Sequence, residues 1–341
     1  MKKENHQHQN LKSIRLVKTS LKTFFGTALV VVLALTSCSS NDDVDNTPTI
    51  NINRPAAQDF SNIRNQALDN ITQNFQFNAD NGNISLTSIK GVDITLNANC
   101  LTKNGHPVSG MVDLKYVEIF EKGNMLTSHK PTMGLRPNGN IALIITGGEF
   151  FFEATQNGEV LESSCAIRIS VPAALTGGPD PDMILWDGVI DANGDLTWEP
   201  DEPGSIDGIY IDAANYHAFI QNFGWTNIDR FYQDPRPKTN VYVQAPIGFN
   251  YTNSAIYLSY NGQEFGLASL YTFTNGLFSM NSAEIPIGLE CHVVFVSEQN
   301  GAWRYAIKPI TVTEDNLTTF SMAETNVTSE ADLISIINGL P

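Results

Sequence analysis

Oxygen-bearing side chains stand at every second position of one short stretch, DANGDLT at residues 191–197. Asp191, Asn193 and Asp195 carry the carboxylate and amide oxygens that Ca²⁺ prefers. The sixth position lacks the glycine of an EF-hand, and the prolines that follow oppose the helix that leaves such a loop. Asn-Gly between two apolar runs is also typical of a β-hairpin turn. Two interpretations stay open: a calcium site at these three residues, or a plain hairpin.

Pairs of carboxylates could act as the acid and base of a glycosidase. That chemistry needs two carboxyl groups about 5 to 10 Å apart across a cleft. A strongly acidic surface supplies such pairs by chance, and spacing assigns no aromatic cradle to any of them. We interpret them as surface charges, and they are Asp180 with Asp182, Asp201 with Glu202, and Asp207 with Asp212.

Tryptophan side chains could stack on sugar rings or on the surface of a partner protein. Trp186 and Trp225 are the candidates for such a ligand-stacking role. Large aromatic side chains are more often part of the core, which is the interpretation that we favour. The four histidines beyond the N-terminal region, His106, His129, His217 and His292, are scattered along the sequence. No His-Glu-x-x-His, Cys-x-x-Cys or Gly-x-Ser-x-Gly motif occurs, which rules out only the families that use those motifs.

The first 37 residues have the organisation of an export signal. Six basic residues precede an apolar run of about 13 residues, which is long enough for a secretory signal and too short to span a membrane. The run ends in LTSC at residues 35–38 and resembles the lipobox that the lipoprotein signal peptidase cuts. The resemblance implies that Cys38 becomes the first residue and carries acyl chains. An ordinary secretory peptide and an uncleaved anchor are the alternatives.

The residues that follow Cys38 are polar and acidic, reading SSNDD at 39–43. They resemble the short tag behind the acylated cysteine of Bacteroidota lipoproteins, and the resemblance implies a place on the outer face of the outer membrane. The same residues would also serve as a flexible polar tether, which we extend to residue 55. Both interpretations can hold together.

The charge of the exported part limits its partners. The chain has 20 Lys and Arg against 36 Asp and Glu, and the leader holds six of the basic residues and one of the acidic ones. The remainder therefore carries 14 basic and 35 acidic residues, a formal net charge of −21. Nucleic acid is a poor partner for such a surface, because phosphates are bound by clustered Lys and Arg. Calcium or a basic protein would be less disfavoured.

Three cysteines remain once Cys38 carries lipid. Export places them in a compartment where disulfides persist, and Cys100 and Cys165 end extended segments of one proposed domain. A bridge between these two is the prediction, although sequence alone does not fix the pairing. Cys291 lies in an apolar, alternating segment, so we predict a buried thiol on a strand.

The elements that would position these residues are mostly strands. Apolar residues recur every three or four positions over residues 56–75, which predicts one amphipathic helix that starts at Pro55. Beyond it the period becomes two, and Asn-Gly dipeptides punctuate the segments, as in antiparallel hairpins. A short C-terminal helix is predicted, capped by Thr328 or Ser329 and stopped at Gly339.

Several stretches resemble a β-sandwich module of uncharacterised Bacteroidota cell-surface lipoproteins. They include NGHPVSGMV at 104–112, KPTMG at 130–134, GGEFFFEATQNG at 147–158 and FGWTNIDRF at 223–231. The resemblance implies antiparallel sandwiches and carries no catalytic residue. Its glycines are also explained by turns and close strand approach.

These observations predict a mainly β protein with two antiparallel sandwich-like domains, one N-terminal amphipathic helix and a short C-terminal helix. The predicted divisions are a leader at 1–37, the acylated tether at 38–55, a first domain at 56–174, a Gly/Pro/Asp-rich linker at 175–208 and a second domain at 209–341. The predicted protein is an outward-facing outer-membrane lipoprotein that acts as a non-catalytic binding, adhesion or structural module. Its predicted partner is a glycan or a surface protein. A calcium-assisted glycan or peptide hydrolase, and a glycan-capturing accessory subunit of a transporter, are the alternatives.

Overall fold

The computed structural model describes residues 54–192, 194–201, 208–280 and 282–341. Residues Ile52 to Pro341 belong to one compact unit. The predicted leader, the predicted lipidation site Cys38 and nearly all of the predicted tether lie outside the described residues. Within the described ranges, no helix is both long and apolar enough to cross a bilayer.

The predicted N-terminal helix is present as α1, Ala57–Ile71. Its buried face consists of Phe60, Ile63 and Ala67, which follow the helical repeat. The Asp59 carboxylate accepts a hydrogen bond from the backbone amide of Ala56 at 3.1 Å and so satisfies a donor at the helix start. The helix ends earlier than predicted, because the chain becomes extended at Thr72 and continues as a strand.

Two further helices follow. Helix α2, Lys122–Thr127, was not predicted; it is a short turn of helix whose residues are mostly buried. Helix α3, Glu330–Asn338, confirms the predicted C-terminal helix. The Ser329 hydroxyl accepts a hydrogen bond from the amide of Asp332 at 3.2 Å, and the helix stops at Gly339.

The part of the chain up to residue 231 forms a first set of strands. Some, such as those at residues 93–97 and 167–172, alternate buried and exposed residues, whereas the central ones are buried on both faces. The strands of this set are β1 Gln73–Asn78, β2 Asn83–Thr87, β3 Asp93–Asn97, β4 Leu101–Lys103, β5 His106–Pro107, β6 Met111–Ile119, β7 Met133–Leu135, β8 Ile141–Gln156, β9 Glu159–Val160, β10 Glu162–Ser163, β11 Ile167–Pro172, β12 Ile184–Ile190, β13 Leu196–Pro200, β14 Gly208–Ile211, β15 Asn215–Ile220 and β16 Gly224–Phe231.

These strands build the first sandwich. One sheet has the order β1-β6-β8-β16-β12-β13-β7, with β9 attached to β8, and the other has the order β14-β15-β11-β3-β2. Tyr116, Phe150 and Ile228 from the larger sheet share a buried cluster with Ile94 and Ile169 from the smaller one. Burial of these apolar side chains between two sheets stabilises the sandwich.

A second set of strands follows residue 237. They are β17 Lys238–Thr239, β18 Val241–Gln244, β19 Ser254–Tyr260, β20 Ala268–Ser269, β21 Thr272–Thr274, β22 Leu277–Ser279, β23 Ile285–Pro286, β24 Glu290–Gln299, β25 Ala302–Thr311, β26 Asn316–Thr319 and β27 Asn326–Thr328. The sheet β21-β22-β18-β26 packs on the sheet β20-β19-β24-β25-β27. Val243 and Phe278 meet Ile256, Val293 and Phe295 in their shared core.

The helices lie between the two sandwiches. Phe60 of α1, Leu126 of α2 and Leu333 of α3 belong to a third buried cluster. That cluster also contains Val117 from the first sandwich and Tyr257 from the second. The predicted fold class, mainly β with two sandwich-like halves, is confirmed. The halves are largely antiparallel, and the pairs β7–β13 and β18–β26 are parallel. One shared helical layer joins the halves.

The predicted linker at 175–208 does not separate the two sandwiches. It contains β12 and β13, which are part of the larger sheet of the first sandwich. Strand β16, assigned by the prediction to the second domain, pairs with β8 of the first. The change from one sandwich to the other falls between β16 and β17, at residues 232–237. The turn between β12 and β13 is a hairpin, and such turns have the same Gly- and Asp-rich composition as a domain boundary.

The cysteines occupy the positions that the sequence indicates. Cys100 and Cys165 form a disulfide, with their Cα atoms 5.6 Å apart. Cys291 lies on β24 and is buried, and this burial raises the pKa of its thiol to about 12. The thiol is therefore protonated at neutral pH, as expected for a structural cysteine.

Candidate functional site

A cleft lies where the helical layer meets the second sandwich. It consists of two adjoining cavities of about 560 Å³ and about 320 Å³. Cavities of this size are typical of small-molecule sites. The two share five lining residues, which are His129, Asp195, Tyr251, Ser269 and Tyr271.

Both cavities of the cleft combine polar and apolar side chains. The larger cavity is lined further by Met133 and Phe273 together with Asp191. The smaller cavity is lined further by Phe60 and Arg64 of α1. His129 and Asp195 line both cavities.

Separate elements place the central residues. His129 follows α2 with a left-handed backbone, φ 56°, a conformation that non-glycine residues seldom adopt. Asp195 stands in the turn between β12 and β13, and Tyr251 stands in the loop before β19. Tyr257 lies on β19, with its side chain on the helical layer. The cleft therefore depends on the packing of both sandwiches against the helices.

A directed chain of hydrogen bonds joins these side chains. His129 Nε2 lies 2.7 Å from Asp195 Oδ1, and His129 Nδ1 lies 2.7 Å from the Tyr257 hydroxyl. A carboxylate can only accept, so Nε2–H donates to Asp195 and Nδ1 accepts the Tyr257 proton. The Tyr251 hydroxyl donates to Asp195 Oδ2. The Arg64 guanidinium lies near enough for its charge to act on Tyr257 and Asp195. Both imidazole nitrogens and both oxygens of Asp195 are thus engaged.

Burial and charge keep this histidine neutral. Removal from water, and the neighbouring Arg64 guanidinium, lower the pKa of His129 to about 4, although Asp195 acts in the opposite direction. The same burial raises the pKa of Tyr257 to about 12. At neutral pH the wall of the cleft therefore holds a neutral imidazole and a neutral phenol.

The free energy of unfolding should fall as the pH is lowered through this range. An unfolded His129 takes up its proton near pH 6.5, whereas the folded protein keeps the ring neutral down to about pH 4. Between these values the unfolded state binds more protons, so acid favours unfolding. The loss is at most about 3 kcal/mol, since each pKa unit corresponds to about 1.4 kcal/mol. Urea unfolding between pH 4 and pH 7 measures it.

His129→Asn is the matched control for this pH dependence. Asparagine tolerates a left-handed backbone and does not titrate. The variant should therefore show a shallower dependence of stability on pH than the wild type between pH 6.5 and pH 4. Curves of equal slope would exclude His129 as the titrating group.

The predicted calcium loop is a hairpin in the structure. Strands β12 and β13 pair across it, and Asp191 Oδ1 accepts a hydrogen bond from the amide of Asp195 at 3.0 Å. The Asp195 carboxylate is turned towards His129 and Tyr251, while Asn193 lies outside the described residues. Over the residues that the structure describes, no group of three His, Cys, Asp or Glu is arranged to hold a metal ion.

The favoured interpretation of Trp186 and Trp225 as core residues is confirmed, and the alternative of ligand stacking is not. Trp186 is completely buried and Trp225 is 8% exposed, so neither presents a ring face to a ligand. Strands β8, β16, β12, β13 and β7 close on themselves through pairing of β7 with β8 and β13, and Trp186 packs within this group. Its indole Nε1–H donates to the backbone oxygen of Asp229 at 2.8 Å.

Two of the described acidic residues among the predicted pairs, Asp180 and Asp212, form ion pairs with basic side chains. The Arg230 guanidinium bonds to Asp180 at 2.5 Å and lowers the pKa of that carboxyl. His217 bonds to Asp212 at 2.9 Å and, with backbone amides, lowers the pKa of Asp212 to about 2. Glu202 and Asp207 lie outside the described residues. None of the described members of the predicted pairs lines the cleft described above.

A second group of ionisable side chains is buried in the helical layer. Lys130 is 7% exposed, and Glu149 and Asp229 are completely buried. Burial raises the pKa of both carboxyl groups well above the usual range and lowers that of Lys130 to about 8. These residues lie in stretches that carry the lipoprotein resemblance, at 130–134, 147–158 and 223–231.

The sequence did not identify His129, Tyr251 or Tyr271 as parts of one site. They are far apart in the chain, and no fixed spacing connects them. A left-handed histidine after a short helix has no sequence signature that distinguishes it from a loop residue. Asp195 was identified, as one of three possible oxygen ligands in a loop that was also interpreted as a hairpin turn.

Comparison with known proteins adds no assignment to this geometry. A scan against protein-family models and a search of curated proteins gave no match to this chain. The functional argument therefore depends on the residues themselves.

Proposed function

We propose that this protein is an outward-facing, lipid-anchored outer-membrane protein that binds a ligand in the His129–Asp195 cleft without transforming it. The proposed location at the outer membrane is supported by the lipobox resemblance at Cys38 and by the acidic residues that follow it. The binding role follows from the cleft, which has the size of a ligand site and gathers residues from α1, the β12–β13 turn and the second sandwich.

The observation that carries the non-catalytic role is the hydrogen-bonding of His129 and Asp195. A general base must lie within hydrogen-bond reach of the proton that it removes from a bound substrate. Here Tyr257 and Asp195 engage the two imidazole nitrogens, and His129 and Tyr251 engage the two carboxylate oxygens. Such a network fixes the wall of a site, which favours binding by reducing the cost of ordering it.

The lining favours a glycan as the ligand. Tyrosine rings offer flat apolar faces and hydroxyl groups at the same place, and sugars present both kinds of surface. Tyr251 and Tyr271 line both cavities, beside Ser269 and the polar residues of the smaller cavity. A segment of a surface protein is the second class of ligand to include in a screen.

An enzyme is the alternative function, and one observation favours it. Asp191 and Asp195 both line the larger cavity, so two carboxyl groups face one concave site. A glycosidase uses such an arrangement. The two functions differ in a direct way, because an enzyme releases products and a binding protein returns its ligand unchanged.

Replacement of Tyr271 by alanine should weaken binding of the ligand by at least about tenfold, the effect of losing about 1.4 kcal/mol. The acylated protein is extracted in detergent and screened by native mass spectrometry against neutral and acidic oligosaccharides. Each spectrum also reports cleavage of the oligosaccharide. Tyr210→Ala is the matched control, because Tyr210 lies on β14, away from the cleft, and is 63% exposed. Equal affinities for the two variants, or appearance of cleaved sugar that Asp195→Asn abolishes, would contradict the proposal.

A further inference from the structure

Arg64 is a positively charged residue in the wall of the cleft that has no direct counter-ion. It lies on α1, lines the smaller cavity and is partly buried. Its Nε is buried without a hydrogen-bond partner, and its guanidinium forms no ion pair with a carboxylate of the described residues. A guanidinium stays charged in proteins, and a charge that is removed from water is costly unless it is paired. The cavity therefore offers a positive charge to a ligand.

Aromatic packing holds the Arg64 side chain in place. Its guanidinium carbon lies over the ring of Phe60, four residues earlier on the helix, at 3.8 Å from the ring centre. Phe60 is itself buried and meets Trp303 edge to face, with ring centroids 6.4 Å apart. A guanidinium that lies over an aromatic face keeps the N–H groups at its edge free to donate hydrogen bonds. Arg64 is thus positioned without an acceptor for its charge.

The charges around Arg64 favour a ligand with a single negative charge. Asp195 is the one carboxylate that lines the smaller cavity, and both of its oxygens accept hydrogen bonds from His129 and Tyr251. The helix α1 begins at the same cavity, and a helix N-terminus carries a partial positive charge. One added negative charge is balanced there by Arg64. A doubly charged group, such as a phosphate, would be repelled more strongly by Asp195.

We propose that Arg64 binds the carboxylate group of an acidic sugar in the smaller cavity, an inference that rests on the proposed glycan-binding function of the cleft. The planar guanidinium donates two parallel hydrogen bonds to the planar carboxylate. The sugar ring packs against Tyr251 and Tyr271, which line the same cavity. A uronic acid or a sialic acid carries the ring and the carboxylate in one residue. A neutral sugar would leave the guanidinium unpaired, so the site discriminates against it.

The remaining lining favours a sugar over the C-terminus of a peptide as the source of the carboxylate. Ser61, Thr252 and Ser269 bring hydroxyl groups to the smaller cavity. A hydroxyl group both donates and accepts hydrogen bonds, as the hydroxyl groups of a sugar do. Peptides with a free or an amidated C-terminus therefore serve as the comparison.

Paired ligands test the role of the carboxylate. Oligosaccharides that contain galacturonic, glucuronic or sialic acid are compared with their methyl esters, which keep the sugar ring and lose the charge. Binding to the acylated protein in detergent is measured by isothermal titration calorimetry at pH 7, in a buffer free of carboxylates. The wild type should bind an acid form more tightly than its ester by about tenfold to about a hundredfold, the range for hydrogen bonds to a charged group.

Variants of Arg64 connect this preference to the guanidinium. Arg64→Gln should bind the acid form about as weakly as the ester. Arg64→Lys keeps the charge without the planar fork and should retain only part of the preference, so it decides the test if Arg64→Gln does not fold. Arg168→Gln is the matched control, because it removes the same charge from an exposed position on β11, outside both cavities, and it should keep the full preference. Circular dichroism reports the folding of each variant.

The outcomes separate this inference from the proposed function. Equal binding of the acid and the ester by the wild type, or a full preference in both Arg64 variants, would overturn the inference and leave glycan binding intact. Binding of a peptide with a free C-terminus, with no sugar bound, would overturn the assignment to an acidic sugar. Absence of binding by every acid and every ester and peptide would overturn the inference together with the proposed function.

Discussion

Replacement of Cys38 by serine should abolish incorporation of labelled palmitate and release the protein from the membrane fraction. The lipobox resemblance implies that the Cys38 sulfur is the attachment point of the lipid, and serine supplies no thiol. Each buried CH₂ of an acyl chain contributes about 0.8 kcal/mol to membrane binding, so loss of the chains removes nearly all of the affinity. Metabolic labelling followed by fractionation measures both effects.

Cys291→Ser is the matched control for this substitution. Cys291 is buried on β24 and has no role in attachment, so the variant should retain the label and stay with the membrane. Protease treatment of intact cells then reports whether the body faces outward. Full labelling of Cys38→Ser, or an unprocessed wild-type chain in the cytosol, would end the lipoprotein assignment.

Replacement of Trp186 by alanine should lower the free energy of unfolding by about 3 to 5 kcal/mol. Trp186 is completely buried, its ring meets Phe231 edge to face at 5.1 Å between centroids, and its indole donates to the backbone of Asp229. Alanine leaves a cavity and an unpaired carbonyl. Chemical denaturation of wild type and variant under the same conditions measures the difference.

Trp186→Phe retains most of the apolar volume and should cost less than the alanine variant, since it loses mainly the indole hydrogen bond. Ligand affinity per folded molecule should be unchanged in both, because the ring does not reach the cleft. A stable Trp186→Ala protein that has lost its ligand would restore the stacking role and contradict the packing argument.

The fold was largely predictable because its determinants are local. The helical repeat of Phe60, Ile63 and Ala67 and the capping by Ser329 act within a few residues. Period-two segments with Asn-Gly turns likewise identify antiparallel strands. The end of α1 was not predicted, because Phe75 continues the apolar repeat although it belongs to β1.

The division of the chain required information that local patterns lack. Residues 175–208 have the composition of a linker, yet Trp186 and Trp198 in that range belong to the core. Turns inside a sheet and connections between domains use the same residues. Only the pairing of β12 with β16 shows that this segment belongs to the first sandwich.

The site was the least predictable feature. Arg64, His129, Asp195 and Tyr257 come from four distant parts of the chain, and their interactions depend on tertiary packing. The sequence indicated Asp195 as an oxygen ligand because of the spacing around it. The spacing instead creates the hairpin that turns its carboxylate towards His129.

The ¹⁵N NMR signals of the His129 ring test the central claim most directly, since that claim is that both nitrogens are engaged in a fixed, neutral wall of the cleft. The account predicts one neutral tautomer, with the proton on Nε2, throughout the range from about pH 5 to about pH 8. The signals are assigned by their disappearance in His129→Asn. A ring that titrates near its ordinary pKa of 6.5, or that exchanges between tautomers, would instead identify a free base and contradict the proposed binding role.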